Sequence, residues 1–362
     1  MLKSSQINQI KLTQWGVGVI RIAVVGAGMA GLVCARRLQQ GGYGVQVFEK
    51  SRGLGGRVAT RRLTDTCADH GLRYVASQGE WTDRLILPLR QQGILHPWIA
   101  NSGNPSAVET DRFIAPNGMA SVAKWLAEGL TIARHHRVLT IAPQPDRTWS
   151  LTIETATATP SIGDFSVVVL AIPAPQAVPL VAPLVTQGLP EPFLVGLEAI
   201  EFAPCLTAIA QYRQERTPAF AAAPQAVSMT DSPSLAWLSL ENSKRPSSHP
   251  IVVVQSTAAF AEEFLEATDL QPIGMQLLQL ATDTLGFDFT DPELLQVHRW
   301  RYAFPRHTGQ VSWLATQYPL PLLCCGDWCG GDRLETALDS GIKTAEQIHH
   351  WLSRHPLPPI DW

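Results

Sequence analysis

The sequence predicts an α/β fold in which a parallel sheet, built from stretches far apart along the chain, is joined to a second, mixed α+β domain. Near the N-terminus a short β-branched run is followed by a glycine-rich turn, a helical stretch and another strand. Two further continuous apolar runs, one mid-chain and one near the C-terminus, have the composition of strands buried on both faces. The 362 residues, 45 % apolar and 16 % charged, are enough for two such domains.

The first supersecondary unit begins at residue 21. Residues 21–25 are a short apolar run that predicts a buried strand, a helical stretch extends from about Leu32 to Gln40, and residues 45–48 form the next strand. This β-α-β unit spans about thirty residues, the length of one right-handed parallel crossover.

The later elements of the first domain follow in chain order. Residues 77–108 are irregular and rich in tryptophan, so the chain is expected to leave the first domain there. A helix is expected at about 120–130, a buried strand at 167–172, and a last strand and helix at 320–325 and 334–351.

The middle of the chain lacks the alternation of strand and helix. It combines strands at 206–211 and 251–254 with a helix around 260–280, which is typical of a separate mixed domain. The predicted division is an N-terminal extension at 1–19, a first domain at 20–78, 108–176 and 320–355, and a second domain at 79–107 and 177–319.

Composition disfavours two classes of partner. The formal net charge of −3 differs from the basic balance of proteins that bind nucleic acid through its phosphates. The most apolar region, residues 165–185, contains four prolines, which would break a membrane-spanning helix. We therefore expect no nucleic acid partner and no transmembrane segment.

The six cysteines are interpreted as structural thiols. Cys324, Cys325 and Cys329 lie close together, which raises the alternative of a metal or redox site, but they lack C-x-x-C spacing and a second Cys/His pair. We predict small buried side chains at a strand end and no metal site. Because residues 1–18 also lack the apolar run of a secretory signal, a reducing, cytoplasmic location is expected.

Residues 26–31, Gly-Ala-Gly-Met-Ala-Gly, form a G-x-G-x-x-G turn between a predicted strand and a predicted helix. In a Rossmann-type domain the three glycines permit a tight turn, close approach of the backbone to a pyrophosphate, and close packing of helix and strand. The helix N-terminus also presents N–H groups and a positive dipole end to phosphates. Glu49 follows Gly31 by eighteen residues, where a carboxylate accepts hydrogen bonds from an adenosine ribose and disfavours a 2′-phosphate.

A second glycine-rich turn follows at residues 52–57, Arg-Gly-Leu-Gly-Gly-Arg. An extended FAD molecule needs a continuous groove, and a second glycine turn lets the backbone follow its pyrophosphate and ribityl chain. Arg52 and Arg57 would supply charge to the phosphates. The alternative is a surface loop with solvated arginines. The two turns together favour FAD over NAD.

These and other motifs resemble the flavin amine oxidase superfamily, and most closely its renalase-like branch of FAD/NAD(P)-dependent oxidoreductases. The resemblance covers about residues 20–352 and implies a Rossmann-type FAD-binding domain, discontinuous in sequence, with a second domain that holds the substrate. The matching motifs are Gly26-x-Gly-x-x-Gly31, Glu49, Gly55-Gly56-Arg57, Asp69-His70-Gly71, Pro116-x-Gly-Met119 and Cys325-Gly326-Asp327-Trp328.

The resemblance implies roles residue by residue. The first turn and Glu49 hold the adenosine half of FAD, Gly56 and Arg57 lie along the pyrophosphate, and Asp327 contacts the pyrophosphate–ribityl region. The terminal helix directs its positive N-terminus at the pyrimidine edge, which stabilises a reduced, anionic flavin. Gly341 in this helix indicates close packing against the first helix or the cofactor, because it costs about 1 kcal/mol relative to Ala. The expected cofactor contacts are Gly26, Gly28, Met29, Ala30, Gly31, Glu49, Lys50, Arg52, Gly56, Arg57, Val138, Asp327 and Glu335.

Two departures from the family pattern bear on the chemistry. Typical amine oxidases place a tyrosine near the start of the terminal helix, whereas residues 332–337 contain no aromatic side chain here. No cysteine stands where a covalent flavin link would be expected, so FAD is expected to be non-covalent. Both points favour the renalase-like interpretation.

That interpretation implies oxidation of a dihydronicotinamide dinucleotide, an isomer of NAD(P)H. A hydride passes to flavin N5 and O₂ accepts the electrons to give H₂O₂, so no general base is required. One alternative is a flavin amine oxidase or carotenoid-type desaturase. Another, from a different class, is a non-catalytic FAD protein that acts as a redox sensor or binds a protein partner.

Candidate substrate contacts come from two segments. Residues 298–302 alternate aromatic and basic side chains along a predicted strand, so one set lies on each face: His298, Trp300 and Tyr302 against Arg299 and Arg301. The aromatic set would stack on a nicotinamide and the arginines would meet phosphates; a strand with one core face is the alternative. His70 would bind the cofactor or guide substrate entry, or is a structural histidine.

Overall fold

The computed structural model describes residues 18–101, 111–309, 311–353, 355–360 and 362. Most of the predicted extension at 1–19, and the end of the segment 79–107, lie outside these ranges. The helices are α1 (Met29–Gln40), α2 (Glu80–Gln91), α3 (Ala120–Leu126), α4 (Ala174–Val181), α5 (Glu191–Glu198), α6 (Thr217–Phe220), α7 (Ala258–Glu263), α8 (Gln271–Leu285) and α9 (Leu334–Leu352). The strands are β1 (Arg21–Val25), β2 (Gly44–Glu49), β3 (Thr60–Arg62), β4 (Cys67–Asp69), β5 (Val75–Ala76), β6 (His96–Pro97), β7 (Arg112–Ile114), β8 (Thr131–Arg134), β9 (Arg137–Pro143), β10 (Trp149–Glu154), β11 (Ser161–Phe165), β12 (Val167–Leu170), β13 (Phe202–Gln211), β14 (Ala226–Ser228), β15 (Leu235–Leu240), β16 (Ile251–Ser256), β17 (Leu294–Pro305), β18 (Leu314–Thr316) and β19 (Leu322–Cys324).

The parallel sheet has the strand order β18-β19-β12-β1-β2-β8. β1 pairs in parallel with β2 on one side and with β12 on the other, and β8 and β19 continue the parallel pairing beside β2 and β12. β18 is added antiparallel to β19 at that edge. Every residue of β2 and β12 is buried, which explains why β12 is a continuous apolar run and why β2 is apolar apart from Gln46 and the terminal Glu49. Because strands from opposite ends of the chain lie side by side, the predicted Rossmann-type fold, discontinuous in sequence, is confirmed.

Helices α1 and α9 pack closely together beside this sheet. A Cβ on Gly341 of α9 would lie 2.3 Å from the carbonyl oxygen of Ala30 and 2.5 Å from a methyl of Val33 in α1. Gly341 was expected to pack closely against either the first helix or the cofactor. Its packing against the first helix is sufficient to explain the glycine.

The second sheet is antiparallel, in the order β14-β15-β16-β13-β17. One of its faces forms a separate core with α8, as the buried Leu206, Val254 and Leu277 show. Its other face is turned toward the first domain. This arrangement confirms the mixed α+β second domain.

Residues 77–108, expected to be irregular, contain α2. Its buried residues Thr82, Leu85, Ile86 and Leu89 have the i, i+3, i+4, i+7 spacing of an amphipathic helix, which Pro88 near its end obscures. The buried leucines and Ile86 belong to the same core as α1 and α9. The assignment of 79–107 to the second domain, like the other domain boundaries, stays a prediction.

Other element boundaries also differ from expectation. The helix expected around 260–280 is two helices, α7 and α8, and Pro272 at the start of α8 fixes where the second begins. The helices α4 and α5 were not expected, because each carries a proline in its first turn within a proline-rich stretch. α1 begins at Met29 rather than about Leu32, and α3 ends at Leu126 rather than about residue 130.

The six cysteines are all free and buried. Cys324 ends β19, and Cys325 and Cys329 follow it with almost no exposed surface, as predicted for small side chains at a strand end. Within the described ranges, no helix has both the length and the apolarity that a membrane crossing requires.

Candidate active site

The first glycine turn connects β1 to α1. Gly26 donates its N–H to the Phe48 carbonyl at 2.8 Å, has a φ of +104°, and a Cβ there would lie 2.5 Å from the Ala171 carbonyl oxygen. A Cβ on Gly31 would lie 2.1 Å from the Gly26 carbonyl oxygen, so the protein itself excludes side chains at both positions. By contrast, a Cβ on Gly28 would meet no described atom within 4 Å, so the backbone there borders open space.

Glu49 lies beside this turn at the carboxyl end of β2 and is 9 % exposed. One of its carboxylate oxygens accepts the Ala27 N–H at 2.8 Å, and the other accepts the Ser51 N–H at 2.7 Å. Each oxygen retains a lone pair for a further donor, such as a ribose hydroxyl. The carboxylate thus lies where the sequence predicts the ribose acceptor.

The second glycine turn contacts the first directly. The Gly55 N–H donates to the Ala27 carbonyl at 2.8 Å, and Gly28 and Gly55 form an isolated parallel β-bridge. Gly55 and Gly56 have φ values of +100° and +57°, which favour glycine. A Cβ on Gly56 would lie 3.4 Å from Gly28 Cα. The two turns therefore form one continuous glycine-lined groove.

Asp327 closes this groove from the C-terminal end of the parallel sheet. Its carboxylate accepts two hydrogen bonds from the Arg57 guanidinium, at 2.7 and 2.6 Å, and is almost buried. Arg57 also donates to the Ala303 carbonyl at 3.0 Å and lies 5.9 Å from the Phe202 ring centroid. Arg57 thus connects the second turn, the end of β19 and the second sheet through a bidentate pair.

The groove suits a pyrophosphate. Gly28 precedes helix α1, which has neither a side-chain cap nor an acidic residue in its first turn. Its first N–H groups and positive dipole end are therefore available to an anion at the open position beside Gly28. These are the features that bind the phosphates of a dinucleotide at the carboxyl ends of parallel strands.

The Asp69-His70-Gly71 motif lies against the second turn. The Leu72 N–H donates to the Arg57 carbonyl at 2.9 Å, and the His70 N–H donates to the Ala59 carbonyl at 3.2 Å. A Cβ on Gly71 would lie 2.0 Å from the Arg57 carbonyl oxygen, so only glycine permits this contact. The motif therefore carries His70 from the groove to the second sheet.

His70, His298 and Trp300 form a cluster of three rings. The His70 ring stacks on Trp300 with centroids 5.4 Å apart and meets His298 edge-on at 4.8 Å. Burial lowers the pKa of His70 to about 3, with further contributions from His298 and Arg61, and burial lowers the pKa of His298 to about 4. Both imidazoles are therefore neutral near pH 7. The buried Nδ1 of His70 has no hydrogen-bond partner in the described part of the chain.

The two faces of β17 have different surroundings. On one face, Trp300 donates through its indole N–H to the His70 carbonyl at 2.9 Å, and Tyr302 packs edge-on against Phe202. On the other, Arg301 pairs with Glu266 at 2.5 Å. Arg299 donates to the Ala267 carbonyl on that side. The aromatic set, rather than the arginines, therefore faces the first domain.

Residues 24–86 match the model of an NAD(P)-binding Rossmann-like domain, and residues 95–349 match that of flavin containing amine oxidoreductases. The chain belongs to the flavin-containing amine oxidoreductase family. It is 27 % identical to renalase from Mus musculus over 325 residues, which are 84 % of this chain and 92 % of that one.

Two solved structures show that the fold is shared. A candidate protoporphyrinogen oxidase from Exiguobacterium has a TM-score of 0.70 at 15 % identity, covering 93 % of this chain and 100 % of that one. Cyclohexylamine oxidase from Brevibacterium oxydans has a TM-score of 0.64 at 13 % identity, again covering 93 % and 100 %.

As a member of the flavin-containing amine oxidoreductase family, this chain is an FAD-dependent oxidoreductase. The residues present fit a flavin nucleotide: the open position beside Gly28, the uncapped start of α1 and the carboxylate of Glu49, bonded to Ala27, belong to the same turn. Which side chains contact the cofactor stays a prediction.

The other residues predicted to contact the cofactor differ in their burial and in their hydrogen-bond partners. Met29 and Ala30 form the buried first turn of α1. The Lys50 ammonium donates to the Gln176 amide oxygen at 3.0 Å, and Arg52 is exposed. Val138 is packed in a core beneath the sheet, so a contact from it would come from its backbone.

The side chain of Glu335 binds the start of helix α2. Its two carboxylate oxygens accept the backbone N–H groups of Trp81 and Thr82 at 3.0 and 2.7 Å, at the start of α2. A carboxylate at a helix N-terminus stabilises that helix. The predicted cofactor contact of Glu335 would therefore come from its backbone in the first turn of α9.

A buried charged network beside the site was not predicted. Arg245 bonds the carboxylates of Asp69 and Glu241, and Lys244 pairs with Glu241 at 2.7 Å. All four side chains are at most 5 % exposed. The adjacent Lys244-Arg245 pair, far from any motif, gave no signal that Arg245 bonds Asp69, 176 positions earlier in the chain.

Proposed function

We propose that this chain oxidises a dihydronicotinamide, an isomer of NAD(P)H, with non-covalently bound FAD as hydride acceptor. The observation that carries the proposal is the ring cluster of His70, His298 and Trp300, which forms where the Asp69-His70-Gly71 motif, bonded to the second glycine turn, meets β17. The renalase-like resemblance implies the same substrate class.

The neutral state of the cluster supports hydride transfer. Because burial holds the pKa values of His70 and His298 at about 3 and 4, a planar dihydronicotinamide meets stacking surface without a buried cation. Hydride loss from a dihydropyridine needs no proton acceptor. The contribution of these residues is to hold the ring in a reactive orientation and to exclude water.

Bound FAD would supply the hydride acceptor, and its reoxidation by O₂ with one proton from solvent would give H₂O₂. The chain's own residues position the nucleotide. Gly28 and Gly56 admit its pyrophosphate, Glu49 accepts from its ribose, and the Arg57–Asp327 pair fixes the second turn against the end of β19.

The test is anaerobic rapid mixing of the purified yellow protein with reductants of two classes. We expect the flavin absorbance to bleach with the 2-dihydro and 6-dihydro isomers of NAD and not with putrescine or cyclohexylamine. Bleaching by the amines alone would establish amine oxidation instead. Bleaching by none would favour the non-catalytic alternative, and the dihydronicotinamide proposal would be wrong.

A matched pair of variants links the bleaching to the ring cluster. Trp300→Leu removes the ring on which His70 stacks and should slow bleaching at least tenfold, because the ring orients the substrate. Trp313→Leu, outside the cluster, should bleach at the wild-type rate. If both variants bleached at the same rate, the ring cluster on this face of β17 would not take part in the reaction.

A further inference from the structure

Arg73 lies on the same face of the second sheet as the ring cluster, three residues after His70. Its Nε donates to the Gln255 amide oxygen at 2.6 Å, and its guanidinium lies 4.5 Å from the Trp237 ring centroid. Trp237 and Gln255 are register partners across β15 and β16, and the same row continues through Thr207 to His298. Arg73 and the ring cluster therefore occupy one continuous surface.

This arginine is held in a fixed orientation. Gln255 accepts from Arg73 with its amide oxygen and donates with its amide nitrogen to the Gly71 carbonyl at 3.1 Å. The indole of Trp237 supports the plane of the guanidinium. Only Nε is used by these contacts, so both terminal nitrogens remain as a donor fork.

The charge of Arg73 is not balanced by a carboxylate. In the described ranges Arg73 forms no ion pair, and the buried carboxylates of Asp69 and Glu241 are bonded to Arg245 and Lys244. Burial, with a contribution from Arg112, lowers the pKa of Arg73 to about 10, so it remains a cation at neutral pH. Arg73 is only partly buried, so its free donor fork is accessible to an anionic group of a bound ligand.

We propose that Arg73 binds an anionic group of the substrate, such as a phosphate of a nicotinamide dinucleotide, while the ring cluster holds its nicotinamide. A guanidinium fork matches two oxygens of a phosphate or carboxylate. The same cation repels a protonated amine, so Arg73 also selects against amine substrates. This inference rests on the proposed function in one respect: the substrate is taken to bind at the face of the second sheet that carries the ring cluster.

The test uses equilibrium binding of unreactive oxidised ligands to the FAD-loaded protein. NAD⁺ carries phosphates and nicotinamide riboside does not, so their dissociation constants, measured from the change in flavin absorbance and by calorimetry, isolate the anionic group. We expect wild-type protein to bind NAD⁺ more tightly than the riboside. Arg73→Gln should weaken NAD⁺ binding at least tenfold and leave riboside binding unchanged, and Arg73→Lys should restore part of it.

Arg299→Gln, on the opposite face of the same sheet, is the matched control and should bind NAD⁺ like the wild type. Flavin content and the visible spectrum check that each variant is folded. The inference is overturned if wild-type protein binds NAD⁺ no better than the riboside, or if Arg73→Gln leaves NAD⁺ binding unchanged or weakens both ligands equally. The binding measurement needs no turnover. Its result can therefore be interpreted even if the bleaching experiment contradicts the proposed function.

Discussion

Glu49 accepts backbone N–H groups with both carboxylate oxygens, from Ala27 in the first glycine turn and from Ser51 after β2. Removing this side chain would loosen the first glycine turn and remove the ribose acceptor together. We expect Glu49→Ala to weaken FAD binding by about 1–3 kcal/mol, the loss typical of a charged hydrogen bond. Titration of the apoprotein with FAD, followed by flavin fluorescence, measures this change.

Glu198→Ala provides the control, because Glu198 is exposed at the end of α5, away from the glycine turns. Its FAD affinity should equal that of the wild type. If Glu49→Ala retained FAD as well as this control does, the ribose assignment would be wrong.

The positions of individual residues could be predicted where they depend on a short spacing along the sequence. Gly26, Gly31 and Glu49 occupy fixed places in one β-α-β unit, so their spacing alone identified their geometry. Arg57 was recognised as a charge beside the cofactor, but its pairing with Asp327 joins positions 270 residues apart. Such a pairing depends on tertiary structure and leaves no pattern in the local sequence.

At the scale of elements, the crossing of α1 and α9 depends on Gly341. Because an added Cβ would lie 2.3 Å from the Ala30 carbonyl oxygen, Gly341→Ala must move the helices apart. Alanine favours helix by about 1 kcal/mol, but we expect the steric conflict to outweigh this gain, with a net loss of about 1–3 kcal/mol. Urea denaturation monitored by circular dichroism measures the change in the free energy of unfolding.

Gly196 in α5 gives the opposite case. A Cβ there would first meet a methyl of Leu314 at 3.6 Å, which is ordinary contact. Gly196→Ala should therefore stabilise the protein by up to about 1 kcal/mol. If both alanine variants changed stability in the same direction, the close helix crossing would not be the reason for Gly341.

Helices and strands were predictable from periodicity except where proline or a tertiary contact decided the outcome. The largely apolar β1, β2 and β12 were identified directly. In α2 the amphipathic spacing is present, but Pro88 interrupts it and the start of the helix is stabilised by Glu335, which is remote in sequence. A partner so remote cannot be inferred from the local pattern.

At the scale of the whole molecule, the second sheet is joined to residues 67–70 by buried polar groups as well as apolar packing. The His70 carbonyl accepts hydrogen bonds from Thr207 at 3.1 Å and from Trp300 at 2.9 Å, both on the second sheet. Next to it, Arg245 bonds Asp69 of β4 and the Cys67 carbonyl. These contacts fix how the ring cluster faces the glycine groove, so the relative position of the domains and the site geometry are coupled.

The buried network provides a prediction at this scale. Arg245→Met would keep most of the side-chain volume. It would leave the carboxylates of Asp69 and Glu241 in the interior with Lys244 as the one paired cation among the described residues. Breaking a buried ion pair on one side costs about 3–5 kcal/mol, because the remaining charge has no counterpart. We therefore expect a loss of that size in the free energy of unfolding, measured with urea, together with a change in the flavin spectrum.

Two further variants separate this effect from a general loss of an arginine. Arg301→Met removes a solvent-exposed ion pair with Glu266 and should change stability little, since exposed pairs are screened by water. The double variant Asp69→Asn, Arg245→Met removes the opposing charge as well and should recover part of the stability lost in Arg245→Met. If the double variant were less stable by the sum of the two single losses, Asp69 and Arg245 would be energetically independent, and the network would not be what holds the two domains in register.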